Sequence, residues 1–84
     1  MENTDLVQSL IPAIKEQLAS KDTPYVLAAY TRLLEIDDID EQEALEMLAL
    51  CLADESNRMF IDKRNFDEVR YQDLLDALPE LPEG

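Results

Sequence analysis

The residues with the clearest potential for chemistry are seven acids within residues 35–46, because closely spaced carboxylates can bind a cation. They are Glu35, Asp37, Asp38, Asp40, Glu41, Glu43 and Glu46. An EF-hand calcium loop needs glycine at its sixth position and a bidentate glutamate at its twelfth. With Asp38 first, these positions hold Glu43 and Ala49, so the calcium register fails. We assign no metal ligand and no cofactor, and keep a carboxylate enzyme or accessory subunit that uses a divalent metal as an alternative.

Histidine is absent from the chain, and this restricts the catalytic chemistry that its residues support. Ser-His and Cys-His nucleophilic catalysis both need an imidazole, and so do most transition-metal sites. We therefore expect a protein that is not an enzyme of these classes, and favour a non-enzymatic function.

The serines and the single cysteine are the remaining candidates for covalent chemistry. An acyl carrier protein needs an Asp-Ser-Leu site for phosphopantetheine, and the serines here lie in the contexts QSL, ASK and ESN. This alternative is therefore disfavoured. The single cysteine, Cys51, lies between Leu50 and Leu52 in the most apolar stretch, which predicts a buried and unreactive thiol.

The net charge is −13, from 20 acids and seven bases. Such a surface repels nucleic acid and anionic membranes and attracts basic proteins. The acidic N-terminus and the lack of an apolar run of about 18 residues predict neither a signal peptide nor a membrane-spanning helix. We expect a cytoplasmic location, no nucleic-acid partner and no membrane contact.

Four of the seven bases fall between residues 58 and 70, namely Arg58, Lys63, Arg64 and Arg70. The first three lie at or beyond the expected end of a helix, where the negative end of the helix dipole favours cations. We interpret them as helix-end charges rather than as an anion site.

The spacing of apolar residues predicts four helices, at about 10–20, 24–35, 41–61 and 68–78. Pro12 is placed in the first turn of the first helix, with residues 1–9 as a lead-in that could continue through a kink. Asp22 or Thr23 is the predicted N-cap of the second helix, and Pro24 occupies the first helical position, which proline favours. Residues 79–84 are expected to form a short extended tail because they contain two prolines.

Helix-capping patterns mark the last two helices. Asp40 and Glu43 form a variant of the capping box before the third helix. Asp67 is the predicted N-cap of the last helix, with Phe66 before it and Tyr71 four residues after it forming a hydrophobic staple. The predicted core is Leu10, Ile14, Leu18, Val26, Tyr30, Leu33, Leu45, Leu48, Leu52, Phe66, Tyr71 and Leu74.

The run from Thr23 to Pro82 resembles a family of small bacterial helical proteins, a domain of unknown function. The shared features are an EAL-containing central helix, a Phe-Asp-x-x-Arg-Tyr helix and a closing Leu-Pro. Phe66, Asp67, Arg70 and Tyr71 match the second of these. Histidines common in that family are absent here, and its glycine before Phe-Asp is replaced by the loop sequence DKRN. The resemblance implies an all-helical fold in a bacterial protein and implies no known activity.

Together these patterns predict a single all-α domain, a bundle packed orthogonally or up-and-down. We expect a non-enzymatic protein-interaction module that binds a basic partner through the acidic face of residues 35–55 or the exposed side of the third helix. The candidate contacts are Asp37, Asp38, Asp40, Glu41, Met47 and Leu50. Homodimerisation through Met47 and Leu50 is a further alternative.

Overall fold

The computed structural model describes the backbone of residues 2–81 and the side chains of residues 7–81. It contains four helices, α1 (Glu2–Ala19), α2 (Pro24–Leu34), α3 (Glu41–Asp62) and α4 (Glu68–Ala77). No strand occurs within residues 2–81, so the predicted all-α class is confirmed. Helices α2 and α3 each pack against all the others, whereas α1 and α4 both pack on these two.

Helix α1 begins well before the predicted residue 10 and continues through Pro12. A proline in a helix interior removes one backbone hydrogen bond, which costs about 3 kcal/mol or more. Residues Val7, Ile11 and Ile14 are all buried on one stripe of this helix. Each fully buried aliphatic side chain contributes about 1.5–3 kcal/mol, which offsets the proline. The predicted start at residue 10 was wrong. It rested on the preference of Pro12 for a first turn, whereas the apolar stripe of this helix already begins at Val7.

Helix α2 begins at Pro24 as predicted and buries Val26, Ala29 and Leu33. Thr23 occupies the N-cap position, but its side chain makes no capping hydrogen bond. Instead its hydroxyl donates to the carbonyl oxygen of Gln17 at 2.9 Å. Thr23 therefore joins the end of α1 to the start of α2.

Helix α3 has the predicted capping box at its start. The backbone N–H of Glu43 donates to Asp40 Oδ1 at 2.8 Å, and the N–H of Asp40 donates to Glu43 Oε1 at 3.5 Å. The helix ends at Lys63, which adopts the left-handed conformation with φ 53° and ψ 49°. Its N–H, like that of Arg64, donates to the carbonyl oxygen of Met59, which closes the last turn.

Helix α4 is held at both ends. Asp67 accepts a hydrogen bond from the backbone N–H of Arg70, which confirms the predicted N-cap. At the other end, the guanidinium of Arg32 on α2 donates to the carbonyl oxygens of Leu75 and Leu78, both at 2.8 Å. The chain then turns, with the N–H of Glu80 donating to the carbonyl oxygen of Ala77. The predicted extended tail is therefore a turn at its start, and residues 82–84 lie outside the described part.

The core lies where the four helices meet. Seven of the predicted core side chains are buried: Ile14, Val26, Leu33, Leu45, Leu48, Leu52 and Tyr71. Four others are half-buried and pack against them: Leu10, Leu18, Tyr30 and Leu74. Phe66 was wrongly placed in the core, because its ring lies over Tyr71 with its outer side exposed. The core also contains buried residues outside the predicted list: Val7, Ile11, Ala29, Ala44, Ala49, Leu75, Leu78 and Cys51, the last of which was predicted separately to be buried.

Candidate protein-interaction surface

A fully buried carboxylate, Glu55, lies near the end of α3 and organises the turn that follows. Arg64 donates to it twice, at 2.7 and 3.2 Å, and Arg70 donates once, at 2.8 Å. The backbone N–H of Asp67 provides a fourth hydrogen bond at 2.8 Å. The second guanidinium nitrogen of Arg70 binds Asp54. Both carboxylates are therefore matched by the two arginines, as buried charges require.

The electrostatics of Glu55 follow from these donors. Hydrogen bonding from Arg64 lowers the pKa of Glu55 to about 2, and bonds from Asp67 and Arg70 act in the same direction, whereas burial opposes them. The pKa values of both arginines are raised, first of all by their hydrogen bonds to Glu55. Glu55 is thus an ionised structural anchor rather than a group that exchanges protons near neutral pH.

This network corrects the interpretation of the basic residues from the sequence. Arg64 neutralises a buried glutamate, and Lys63 forms the left-handed end of α3. Glu55 was not singled out, although a signal was present. It follows Leu48 and Leu52 at spacings of seven and three, which places it on the buried face of the helix. An acid on such a face requires a basic partner, and the bases come 9 and 15 residues later.

Three aromatic rings lie beside this network. The ring of Tyr71 makes edge-to-face contacts with Phe66 at 5.3 Å and with Tyr25 at 6.1 Å between ring centroids. The predicted Phe66–Tyr71 staple is confirmed. The Tyr71 hydroxyl donates to Gln17 at 2.8 Å, and burial raises its pKa. The staple is therefore tied to α1 and α2 as well as to α4.

We call residues 60–69 the α3–α4 corner. It carries four large apolar side chains that are exposed to solvent: Phe60 (82%), Val69 (69%), Ile61 (54%) and Phe66 (37%). Residues 64–69 line an open depression of about 490 Å³. Isolated exposed apolar residues are ordinary, but four of the seven large apolar side chains that are exposed in the described part of the chain fall within these ten residues.

The outer face of α4 continues from this corner. Asp73 and Asp76 follow Val69 at spacings of four and seven, so all three lie on one side of the helix. Glu68, Asp73 and Asp76 are exposed, whereas Arg70, the only base of α4, is directed to Glu55 and Asp54. The outward charge of α4 is therefore entirely acidic.

The residues predicted to bind a partner are found in two different environments. Asp37, Asp38, Asp40 and Glu41 are exposed in the connection between α2 and α3 and at the start of α3, where Asp40 also caps the helix. Met47 and Leu50 are half-buried and pack against the core. Part of the apolar surplus of α3 is therefore used within the fold.

Cys51 is buried as predicted, and burial, together with nearby Asp54, raises the pKa of its thiol to about 12. A thiol with this pKa is not a nucleophile at neutral pH.

Within the described residues, no group of three or more Cys, Asp or Glu side chains is arranged to hold a metal ion. Among the four helices described, none combines the length and apolar character needed to cross a membrane. The chain matches no family model, no curated protein and no solved structure.

Proposed function

We propose that this chain is a non-enzymatic protein-interaction module that binds a partner through the α3–α4 corner. The observation that carries the proposal is the exposure of Phe60, Ile61, Phe66 and Val69 within ten residues. The 20 acids of the chain keep it soluble, so it can tolerate exposed apolar side chains. Solubility itself gives no reason for these side chains to face solvent. Contiguous exposed apolar patches mark binding surfaces, and this proposal takes the four side chains as one such patch.

The contacts between the corner and the interior of the protein support the proposal. Glu55 binds the side chain of Arg64 and the backbone of Asp67, and Phe66 rests on the buried ring of Tyr71. These contacts hold the loop between α3 and α4 in one shape before any partner arrives. A preformed surface loses less conformational entropy on binding, which favours affinity.

The acidic segment Asp37–Glu41 is a second contact surface in this proposal. Its exposed carboxylates suit a basic region of a partner, and Asp37, Asp38 and Glu41 are available for such contacts. Asp40 is committed to its helix cap, so it contributes charge but is a poor residue for testing binding.

The test is capture of partners from the native lysate, with quantitative mass spectrometry at low and at high salt. Three variants accompany the natural chain. Phe60→Ser with Val69→Ser alters the corner, and Asp37→Asn with Asp38→Asn and Glu41→Gln alters the acidic segment. Leu27→Ser is the matched control, because Leu27 is an exposed apolar residue outside the corner.

We expect the corner variant to lose a partner that the natural chain and the Leu27 control both retain. Capture by these two proteins should persist at high salt, because the contact is apolar. If only the acidic-segment variant loses the partner, and high salt abolishes capture by the natural chain, the interface lies at residues 37–41. Exposed charges are screened over about 8–10 Å at physiological ionic strength, so salt weakens such an interface. A proteome captured equally by all four proteins would contradict the proposal.

A further inference from the structure

We infer that the α3–α4 corner and the outer face of α4 bind a basic amphipathic segment of another protein. This inference rests on the proposed function and names the chemistry of the partner. Such a segment would place an apolar side chain in the depression lined by residues 64–69 and basic side chains against α4. This arrangement is the common helix-in-groove mode of recognition.

Charge complementarity supports a basic partner. Arg64 in the corner and Arg70 just after it are paired internally with Glu55 and Asp54. Arg32, near the other end of α4, is directed to backbone carbonyl oxygens. The exposed bases Arg58 and Lys63 lie in α3 and at its C-cap, not on α4. What α4 presents to a partner is Val69 beside three carboxylates.

Those carboxylates are suitably placed for recognition. Asp73 and Asp76 lie on the same side of α4 as Val69, and Glu68 immediately precedes it. A helix with an apolar stripe flanked by lysine or arginine would match apolar surface with apolar surface and charge with opposite charge. Such complementarity favours fast association and correct orientation.

A second copy of this chain fits the surface poorly. Each copy carries a net charge of −13, and a symmetric contact through α4 would bring two sets of acids together. Like charges across an interface oppose association. The apolar side chains of the corner therefore favour a partner of opposite charge.

The probes for the test are three synthetic peptides labelled with a fluorophore. The first is a lysine–leucine peptide with leucines at helical spacing. The second has the same leucines with glutamate in place of lysine, and the third is the lysine–leucine peptide in scrambled order. Binding is measured by fluorescence polarisation, and the contact surface is located from backbone amide chemical shifts.

Two charge-matched variants locate the effect. Glu68→Gln with Asp73→Asn and Asp76→Asn changes the α4 face, and Asp37→Asn with Asp38→Asn and Glu41→Gln changes the connection between α2 and α3 and the first residue of α3. Each removes three of the 20 acids, so both change the net charge from −13 to −10. A third variant, Val69→Ser, removes the exposed apolar contact without altering charge.

We expect the amphipathic basic peptide to bind and to shift the amides of residues 64–69, 73 and 76. The α4 variant and Val69→Ser should each weaken binding by about five- to thirtyfold, whereas the 37–41 variant should retain it. Equal binding of the scrambled or the acidic peptide would overturn the inference. So would shifts centred on residues 37–46, absence of binding, or a self-associated chain that buries the corner.

The lysate experiment separates the two proposals. If a partner depends on Phe60 and Val69 but is not displaced by the basic amphipathic peptide, the interaction module stands and the partner class is wrong. If no partner depends on the corner and no peptide binds, both proposals fail.

Discussion

The two ends of α3 are stabilised by residues at very different distances along the chain. At its start, Asp40 and Glu43 exchange hydrogen bonds across three residues, and both side chains are exposed. At its end, buried Glu55 joins Arg64, Asp67 and Arg70, which lie 9 to 15 residues away. The first end needs only local sequence, whereas the second also needs the loop before α4 and Arg70 on α4.

This difference has a physical consequence for stability. Exposed capping bonds compete with water and contribute about 1 kcal/mol. A buried ion pair is different, because loss of one partner leaves an uncompensated charge in a poorly solvated place. The end of α3 is therefore more sensitive to substitution than its start, although both carry acidic residues.

The largest expected effect is at Glu55. We expect Glu55→Gln to reduce the free energy of unfolding by about 3–5 kcal/mol, because Arg64 and Arg70 lose their charged partner. The matched variant at the other end, Glu43→Gln, should cost at most about 1 kcal/mol. Urea unfolding followed by circular dichroism measures both. If Glu55→Gln does not fold, the double variant Glu55→Met, Arg64→Met should fold better, since it removes the buried charge and Arg64 together while Arg70 keeps its ion pair with Asp54. Equal, small losses at Glu55 and Glu43 would contradict the comparison.

The pH dependence of stability sharpens the same contrast. The pKa of Glu55 falls from 4.5 to about 2 on folding. A carboxylate with a depressed folded pKa stabilises the fold fully above its unfolded pKa and loses this contribution as pH falls towards the folded value. We expect a contribution of about 3 kcal/mol, present above pH 4.5 and lost between about pH 4.5 and 2.

The difference in unfolding free energy between the natural chain and Glu55→Gln isolates this contribution from the other acids. Denaturant titrations at several pH values should show the difference shrinking on acidification. A difference that stays constant between pH 7 and pH 3 would show that Glu55 is not the group responsible.

A smaller effect is expected at the start of α3. Asp40→Ala removes the cap that accepts from Glu43 and should cost about 1 kcal/mol, or about 4–8 °C in Tm for a domain of this size. Asp38→Ala removes a charge two residues earlier and should change Tm little, since Asp38 is exposed and outside the cap. Similar Tm changes for the two variants would mean that charge, rather than the cap, determines stability here.

The smallest expected effect concerns the left-handed residue that ends α3. A non-glycine residue in this conformation costs about 1–2 kcal/mol, and Lys63 bears that cost. Lys63→Gly should stabilise the chain by about 0.5–1 kcal/mol, after the greater freedom of glycine in the unfolded state is counted. Lys63→Ala is the control, because it removes the charge but keeps the Cβ atom. A gain with alanine equal to that with glycine would assign the effect to charge.

The same distinction between local and distant contacts explains which features the sequence predicted. The start of α2 at Pro24, the capping box of α3 and the staple of Phe66 and Tyr71 depend on residues within five positions, and all were predicted correctly. The early start of α1 was missed because burial of Val7 and Ile11 in the core outweighs the preference of Pro12 for a first turn.

The candidate surface was predicted less well than the fold. Met47 and Leu50 were expected to be available to a partner, but both are partly buried by packing against the core. Phe60 and Ile61 look like a continuation of an apolar helix face, and Val69 like a packing residue of α4. Their exposure depends on the direction in which the chain leaves α3, and Lys63 and the Glu55 network determine that direction.

The contact of Arg32 with the last turn of α4 links the dynamics of the two helices. Without a partner, the final carbonyl groups of a helix of ten residues would fray readily. Arg32 on α2 donates hydrogen bonds to two of these carbonyl groups. The end of α4 therefore opens only when those two hydrogen bonds break. Amide hydrogen exchange near residues 75–78 should therefore report on a side chain more than 40 positions earlier, so that α2 and α4 open as one cooperative unit.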